Sequence, residues 1–211
     1  MATWRLLQLA DSAFPTGGFA HSGGLEAAAQ AGEVPELAAF TRSALWQAGL
    51  GALPLVQDAW RDPEALGRLD ARADLFLANQ VANRASRTQG GAFFSTCARV
   101  FPDEAPGLPG GLSMHLAPLW GRVFRALGMS LDEARSLFLW SSARGVLSAG
   151  VRLGLAGTYE AQRMLVELGP ALDQVATRCA GLGAEDLAQP APLLDLLSAT
   201  HDRLHSRLFQ S

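Results

Sequence analysis

The sequence predicts an all-α fold, a helical bundle of roughly eight to ten helices in one domain spanning residues 1–211. Apolar residues recur at three- and four-residue spacing almost everywhere, as along residues 37–48, and sustained two-residue alternation is rare. Alanine and leucine dominate while β-branched residues are scarce, so helix propensity agrees with the periodicity. A chain of 211 residues is long enough to bury a core without disulfides or metals.

The individual helices follow from this periodicity and from local start signals. Asp62 and Pro63 supply a capping side chain and then a first-turn proline, and "SLDE" at 130–133 is a capping box. Pro170 should kink or divide the penultimate helical segment, because proline lacks a backbone donor. The predicted helices, of which the fourth could be two, cover residues 4–13, 20–31, 35–51, 63–100, 116–128, 130–147, 158–180 and 191–208.

Residues 101–118 form the long loop of the prediction. The segment "FPDEAPGLPGGLSMHLAP" holds four prolines and three glycines, a composition that suits a loop and not a helix. It could link two domains. We favour a crossover inside one domain, because the flanking segments offer too few amphipathic faces to close two cores.

Composition excludes several classes of partner and compartment. A net charge of −3 and a pI near 5.8 argue against nucleic-acid binding. The N-terminus shows no basic region followed by a cleavage site, and no apolar run reaches the roughly 20 residues of a membrane span. Cys97 and Cys179 lack metal-ligand spacing and are predicted as core thiols. We expect a cytoplasmic protein without nucleic-acid or membrane partners.

The segment "DSAFPTGGFAHSGGLE", residues 11–26, invites two catalytic interpretations. Residues 20–24 nearly match the G-x-S-x-G elbow, which would make Ser22 and His21 a serine hydrolase pair. That elbow needs a preceding strand of a parallel sheet, and no segment of this sequence is predicted as one. Gly18 and Gly23 have the spacing of a phosphate-binding loop, but the chain contains no lysine to complete it.

A structural interpretation of the same segment is a glycine-permitted turn between helices. It accounts for Gly17 and Gly18, since glycine tolerates unusual dihedral angles. It accounts less well for Gly23 and Gly24, because each costs up to about 1 kcal/mol relative to alanine inside a helix. Glycines there indicate close approach by another backbone, of this chain or a second one.

Two further groups of residues are candidates for function. His201 and His205 lie one helical turn apart and could share a metal such as nickel, but no third ligand is evident. We favour structural or partner-binding histidines over a metal site. Arg152 stands between apolar residues in a segment rich in Ser, Gly and Ala, 141–165, and is a candidate interface residue because arginine is enriched at hot spots.

The residues also resemble a known family. "LLQLADSAFPTGGFAHSGGLE" at 6–26 is similar to the N-terminal signature of the UreF family of urease accessory proteins. "ASRTQGGAFF" at 85–94, "SAGVRLGLAGTYEAQ" at 148–162 and the tail "THDRLHSRLFQS" at 200–211 extend the resemblance over essentially the whole chain.

The resemblance implies a non-enzymatic helical scaffold without a cofactor. Such a protein forms a homodimer and joins UreD (also called UreH) and the GTPase UreG to apo-urease for nickel insertion. The tail would engage UreD/UreH, and Arg152 would lie on the UreG-facing side. The residues expected to bind partners are Ser12, Pro15, Gly17, Gly18, His21, Ser22, Gly24, Glu26, Arg152, His201, Ser206, Arg207, Leu208 and Phe209.

The chain also departs from the family pattern in three places. Gly157 is followed by Thr158 where glutamine is common, and residues 81–83 lack an acidic–arginine pair. His205 replaces what is often an aromatic residue, so a two-histidine metal site is not a family feature.

Overall fold

In the computed structural model, residues 2–34 and 36–211 are described, and these form eleven α-helices and no β-strand. This confirms the all-α prediction. Short 3₁₀ helices occupy Gly18–Ala20, Pro63–Ala65 and His201–Arg203. The α-helices are α1 (Ala2–Ala10), α2 (Leu25–Gln30), α3 (Leu37–Gly51), α4 (Leu53–Arg61), α5 (Leu66–Phe76), α6 (Gln80–Val100), α7 (Leu116–Ala126), α8 (Leu131–Arg152), α9 (Thr158–Glu167), α10 (Gly169–Cys179) and α11 (Pro192–Ala199).

Two predicted helices are shorter than expected. The helix predicted over 20–31 begins only at Leu25, because Gly23 and Gly24 adopt φ values of 63° and 87°, in the left-handed region that a right-handed helix cannot use. The helix predicted over 191–208 ends at Ala199, and residues 204–211 continue as a non-helical tail.

Other predicted helices are divided by capping residues. The 63–100 segment forms α5 and α6, and the Asn79 side chain accepts a hydrogen bond from the Val81 N–H at 3.0 Å to cap α6. Pro170 lies in the first turn of α10, so it starts a new helix instead of kinking a continuous one. The prediction placed no helix between residues 51 and 63. The structure has α4 there, with Pro54 in its first turn.

The core forms where α4, α6, α7 and α8 meet. Phe93 of α6 stacks on Trp120 of α7 with ring centroids 5.0 Å apart, and Phe138 of α8 contacts Trp120 edge-on at 5.6 Å. Cys97 and Cys179 are fully buried, as predicted, and burial raises the pKa of the Cys97 thiol to about 12. Both thiols therefore act as packing groups.

The loop between α6 and α7 is fixed to the bundle by polar contacts. Asp70 of α5 accepts a hydrogen bond from the His115 N–H at 2.8 Å, and His115 Nε2 lies 3.1 Å from Asp74 Oδ1. Gly90 of α6 makes room for the loop, because a Cβ there would lie 2.0 Å from the Met114 carbonyl oxygen. Met114 itself has a φ of 70°.

Helix α8 positions the candidate site. Its start is the predicted capping box: Ser130 Oγ accepts from the Glu133 N–H at 3.2 Å, and Glu133 accepts from the Ser130 N–H at 2.7 Å. It then contacts α1, α2 and the turn at 18–20 along one side. No helix in the described part of the chain has the length and apolar character needed to cross a membrane.

Candidate functional site

The glycine-rich segment between α1 and α2 is a turn held by local hydrogen bonds and by its glycines. The Asp11 side chain accepts from the Ala13 N–H at 2.8 Å, and Gly17 adopts a φ of 76° before the short 3₁₀ helix. Gly23 and Gly24 then reverse the chain into α2. The segment is thus an ordered turn, as the structural interpretation of the sequence expected.

The close approach of another backbone that the sequence indicated occurs at Gly24. A Cβ on Gly24 would lie 2.9 Å from the Cβ of Ser198 and 3.4 Å from its Cα. The neighbour is α11 of this same chain. Any side chain at position 24 would therefore push α11 away from α2.

The tail lies against this turn, in a set of contacts that we call the tail contact: residues 20–26 with residues 201–211. The Ser22 N–H donates to the backbone oxygen of Ser211 at 2.6 Å, and the Gln210 N–H donates to the Ala20 carbonyl at 2.8 Å. His21 Nδ1 and Ser211 Oγ are 2.6 Å apart. Backbone pairing therefore joins two segments that lie about 190 residues apart in sequence.

Glu26 is the buried acceptor at the centre of the tail contact. Its side chain is 2% exposed and lies in the first turn of α2. One carboxylate oxygen accepts from the Leu208 N–H at 2.6 Å, and the other accepts from the Phe209 N–H at 3.1 Å. His201 Nε2 lies 3.0 Å from the second oxygen. A buried carboxylate satisfied by three donors fixes the tail in one register.

Arg152 closes the tail contact from the other side. Its guanidinium lies between two aromatic rings, 3.8 Å from the Phe19 centroid and 4.1 Å from the Phe209 centroid. It also donates a hydrogen bond to the Phe19 carbonyl oxygen. Stacking on two rings uses the planar character of arginine, which lysine lacks.

The predicted site residues divide by exposure. Those that lie inside the molecule and contact the rest of this chain are Ser22, Gly24, Glu26, His201 and Phe209. Half-buried are Gly18, His21 and Arg152, and exposed are Ser12, Pro15, Gly17, Ser206, Arg207 and Leu208. The structure thus brings the two predicted segments together, with the exposed group available to a partner and the buried group holding the tail.

The two histidines of the predicted pair lie in different environments. His201 is fully buried against Glu26, whereas His205 is exposed on the tail. Across residues 2–34 and 36–211, no three potential metal ligands come together. The sequence spacing of one helical turn is lost because the helix has ended before His205.

Ser22 and His21 lack the geometry of a catalytic nucleophile and its base. Ser22 is 1% exposed, and its hydroxyl donates to the backbone oxygen of Ser211 at 2.8 Å. His21 directs Nδ1 to the Ser211 hydroxyl and makes no hydrogen bond to Ser22. Burial first, and then the nearby charges of Arg84 and His201, lower the pKa of His21.

Sequence reasoning missed the ion pair that supports the tail contact from α6. Arg84 binds Asp202 with two hydrogen bonds, of 2.7 and 3.1 Å, and Arg207 lies 3.5 Å from the same carboxylate. Arg84 and Asp202 are separated by 118 residues, so no local pattern connects them. Phe19 and Ser211 were also missed, since their roles depend on the folded tail.

A comparison with known proteins identifies relatives over nearly the whole chain. Residues 32–169 match the UreF family model. The chain is 36% identical to "Urease accessory protein F" of Arabidopsis thaliana, covering 99% of this chain and 92% of that protein. It is 31% identical to "Urease accessory protein UreF" of Rhizobium leguminosarum bv. viciae, covering 100% and 96%, respectively.

These matches include the site. The family model ends short of both halves of the tail contact, whereas the pairwise matches cover 99% and 100% of this chain and so take in both halves. The chain therefore belongs to the UreF family of urease accessory proteins.

Proposed function

We propose that this chain is a non-catalytic scaffold of urease maturation, joining UreG to UreD/UreH and apo-urease for nickel insertion in the cytoplasm. Membership of the UreF family carries the proposal, since the matched relatives are named urease accessory proteins. Residues 1–211 act as one domain, and the chain needs no cofactor of its own. Nickel is the cargo of the assembly.

The face around the tail contact is the docking surface for UreD/UreH. Exposed apolar side chains stand on the tail and on α11, the helix that leads into it: Leu208 is 52% exposed and Leu196 65%. Apolar side chains grouped on a surface favour a protein partner, because their burial on binding is favourable. The exposed tail residues Ser206 and Arg207 contribute polar contacts at the rim.

Arg152 contributes to the UreG-facing side by positioning aromatic groups. Its guanidinium holds Phe19 and Phe209 at fixed places while remaining half-buried. A residue in this position shapes the surface that UreG meets. Its role is to present Phe19, which is mostly exposed, in one orientation.

A second copy of the chain covers α9, giving the homodimer. Tyr159 and Val166 are 89% and 79% exposed and lie seven residues apart, hence on one side of the helix. Tyr159→Asp should convert a dimer to a monomer in size-exclusion chromatography with light scattering. A dimer of unchanged stability would contradict this assignment.

Reconstitution tests the scaffold. Purified protein, UreD/UreH and UreG are mixed and separated by size-exclusion chromatography, and we expect one complex that contains all three. Leu208→Asp should lose UreD/UreH but keep the homodimer, because it places a charge on the docking face. The control is Leu75→Asp on α5, where the leucine is 80% exposed and distant in sequence from the tail contact. Failure of the unmodified protein to form the complex would overturn the proposal.

A further inference from the structure

A cavity of about 560 Å³ lies between the glycine-rich turn and α8. We call it the α8 cavity. Its apolar wall includes Trp120 and Phe138, and its polar wall carries charged and hydroxyl-bearing side chains from both segments. The polar side chains of this wall include Asp11, Ser12, His21, Ser141, Arg144 and Ser148.

The α8 wall of the cavity is a polar row on one side of a helix. Ser141, Arg144, Ser148 and Arg152 follow one another at spacings of three and four residues, so their side chains lie on one side. All four line the cavity. Ser141, Arg144 and Arg152 are half-buried and Ser148 is exposed, so a polar occupant entering from solvent can reach this row.

Arg144 is a cation without a hydrogen-bond acceptor in the described part of the chain. It takes part in no hydrogen bond or ion pair there, and its Nε is buried without an acceptor. The guanidinium lies 4.9 Å from the centroid of the Trp140 ring. Burial lowers the pKa of Arg144, and the charge of Asp11 opposes that shift. An arginine stays charged in proteins, so a buried donor of this kind favours an anionic acceptor.

His21 offers a second donor with no partner. Its Nε2 is buried and unsatisfied, while Nδ1 pairs with the Ser211 hydroxyl. When that hydroxyl donates to Nδ1, the neutral ring carries its proton on Nε2 and can donate it to an occupant of the cavity.

Asp11 restricts which anion is compatible with the cavity. It lines the same space, and only one of its oxygens is engaged, by the Ala13 N–H at 2.8 Å. A fully ionised oxyanion would be repelled by this carboxylate. An oxyanion that carries a hydroxyl group can instead donate that hydroxyl to Asp11.

We propose that the α8 cavity binds a small oxyanion bearing a hydroxyl group, of the hydrogen phosphate or bicarbonate type. The Arg144 guanidinium takes two of its oxygens in a forked contact, and His21 and the serine hydroxyls donate to the remainder. Asp11 accepts the hydroxyl proton in a hydrogen bond. This site lies beyond the scaffold role and does not depend on it.

Calorimetry of anion binding to the full chain, with four anions as probes, tests the roles of both Arg144 and Asp11. Hydrogen phosphate and bicarbonate carry a hydroxyl, whereas sulfate and formate do not carry one near neutral pH. We expect saturable binding of the first pair and at least about tenfold weaker binding of the second, the effect of one lost charge-assisted hydrogen bond. No saturable binding of hydrogen phosphate or bicarbonate would overturn the proposal.

Substitutions test the contribution of individual side chains to anion binding. Arg144→Gln should weaken hydrogen phosphate binding at least about tenfold, and Arg42→Gln, an exposed change on α3, should leave binding unchanged. Asp11→Asn should remove the preference for hydrogen phosphate over sulfate. Equal binding by Arg144→Gln and the unmodified chain would refute the site, and an unchanged preference in Asp11→Asn would refute the role of the hydroxyl.

A measurement on the unmodified protein avoids the risk that Arg144→Gln fails to fold. Phenylglyoxal modifies accessible arginines, and mass spectrometry locates the products. Hydrogen phosphate should protect Arg144 from modification and leave Arg42 reactive. Equal modification of Arg144 with and without hydrogen phosphate would contradict the proposed contact.

Discussion

His201 Nε2 lies 3.0 Å from Glu26 Oε2 in the interior of the protein, and this contact joins residues 175 positions apart. The same carboxylate accepts hydrogen bonds from the Leu208 and Phe209 N–H groups. One side chain of α2 thus contacts the tail at residues 201, 208 and 209.

Glu26→Gln should release the tail. The amide keeps the size of the side chain but turns one acceptor into a donor facing N–H groups, so we expect a loss of about 2 kcal/mol or more in the free energy of unfolding. Trypsin should then cut after Arg203 and Arg207 faster than in the unmodified protein. Glu185→Gln, at an exposed ion pair with Arg72, is the control. Equal cleavage rates for Glu26→Gln and the control would contradict the role of Glu26.

Arg152→Ala should loosen Phe19 and Phe209 and lower urease activation in the reconstituted system. The helical circular dichroism signal and the dimer should persist, because the side chain lies at the end of α8 and not in the core. Arg152→Lys should recover little, since an ammonium group cannot stack between two rings. Arg68→Ala on α5 serves as the comparison. Unchanged activation in Arg152→Ala would rule out the assignment.

Gly90→Ala and Gly91→Ala should have opposite effects although they are neighbours in α6. A Cβ at 90 meets the Met114 carbonyl oxygen at 2.0 Å, so we expect a loss of about 2 kcal/mol or more in unfolding free energy. A Cβ at 91 meets nothing within 4 Å, so the gain in helix propensity should stabilise the protein by up to about 1 kcal/mol. Urea denaturation of both variants provides the measurement, and equal effects would count against the close packing of the loop on α6.

The protein should become less stable as the pH falls into the mildly acidic range, because of His21. Its pKa is lowered from 6.5 in the folded state, so the unfolded chain takes up the proton first as the pH falls. The free energy of unfolding should therefore decrease from about pH 6.5 down to the lower pKa of folded His21 and then level off. His21→Gln should flatten this part of the pH profile, whereas His205→Gln, at an exposed site, should not. Parallel profiles for the unmodified protein and His21→Gln would contradict the prediction.

The helices were predictable where local chemistry decides them. Ser130 and Glu133 lie within one turn of each other, so their capping box could be recognised from four residues. Pro170 was correctly identified as a break, although it begins α10 instead of bending a longer helix.

The site was predictable only in part, because its contacts are distant in sequence. The resemblance to the UreF family identified both segments of the tail contact but not their pairing. No residue near Glu26 in sequence indicates that Glu26 accepts a hydrogen bond from Leu208. Likewise, no residue near Arg84 indicates that Arg84 pairs with Asp202. The helix predicted over 191–208 ends at Ala199, and the N–H groups of Leu208 and Phe209 donate to Glu26 instead of to a helical carbonyl.

The tail contact also sets an order of events during synthesis. Residues 20–26 leave the ribosome well before residues 201–211, which carry the groups that satisfy Ser22 and Glu26. A nascent chain consequently presents the glycine-rich turn without its tail until residues 201–211 have left the ribosome. Translation that stops before His201 would yield helices α1 to α11 with Ser22 and Glu26 left without these hydrogen-bond partners.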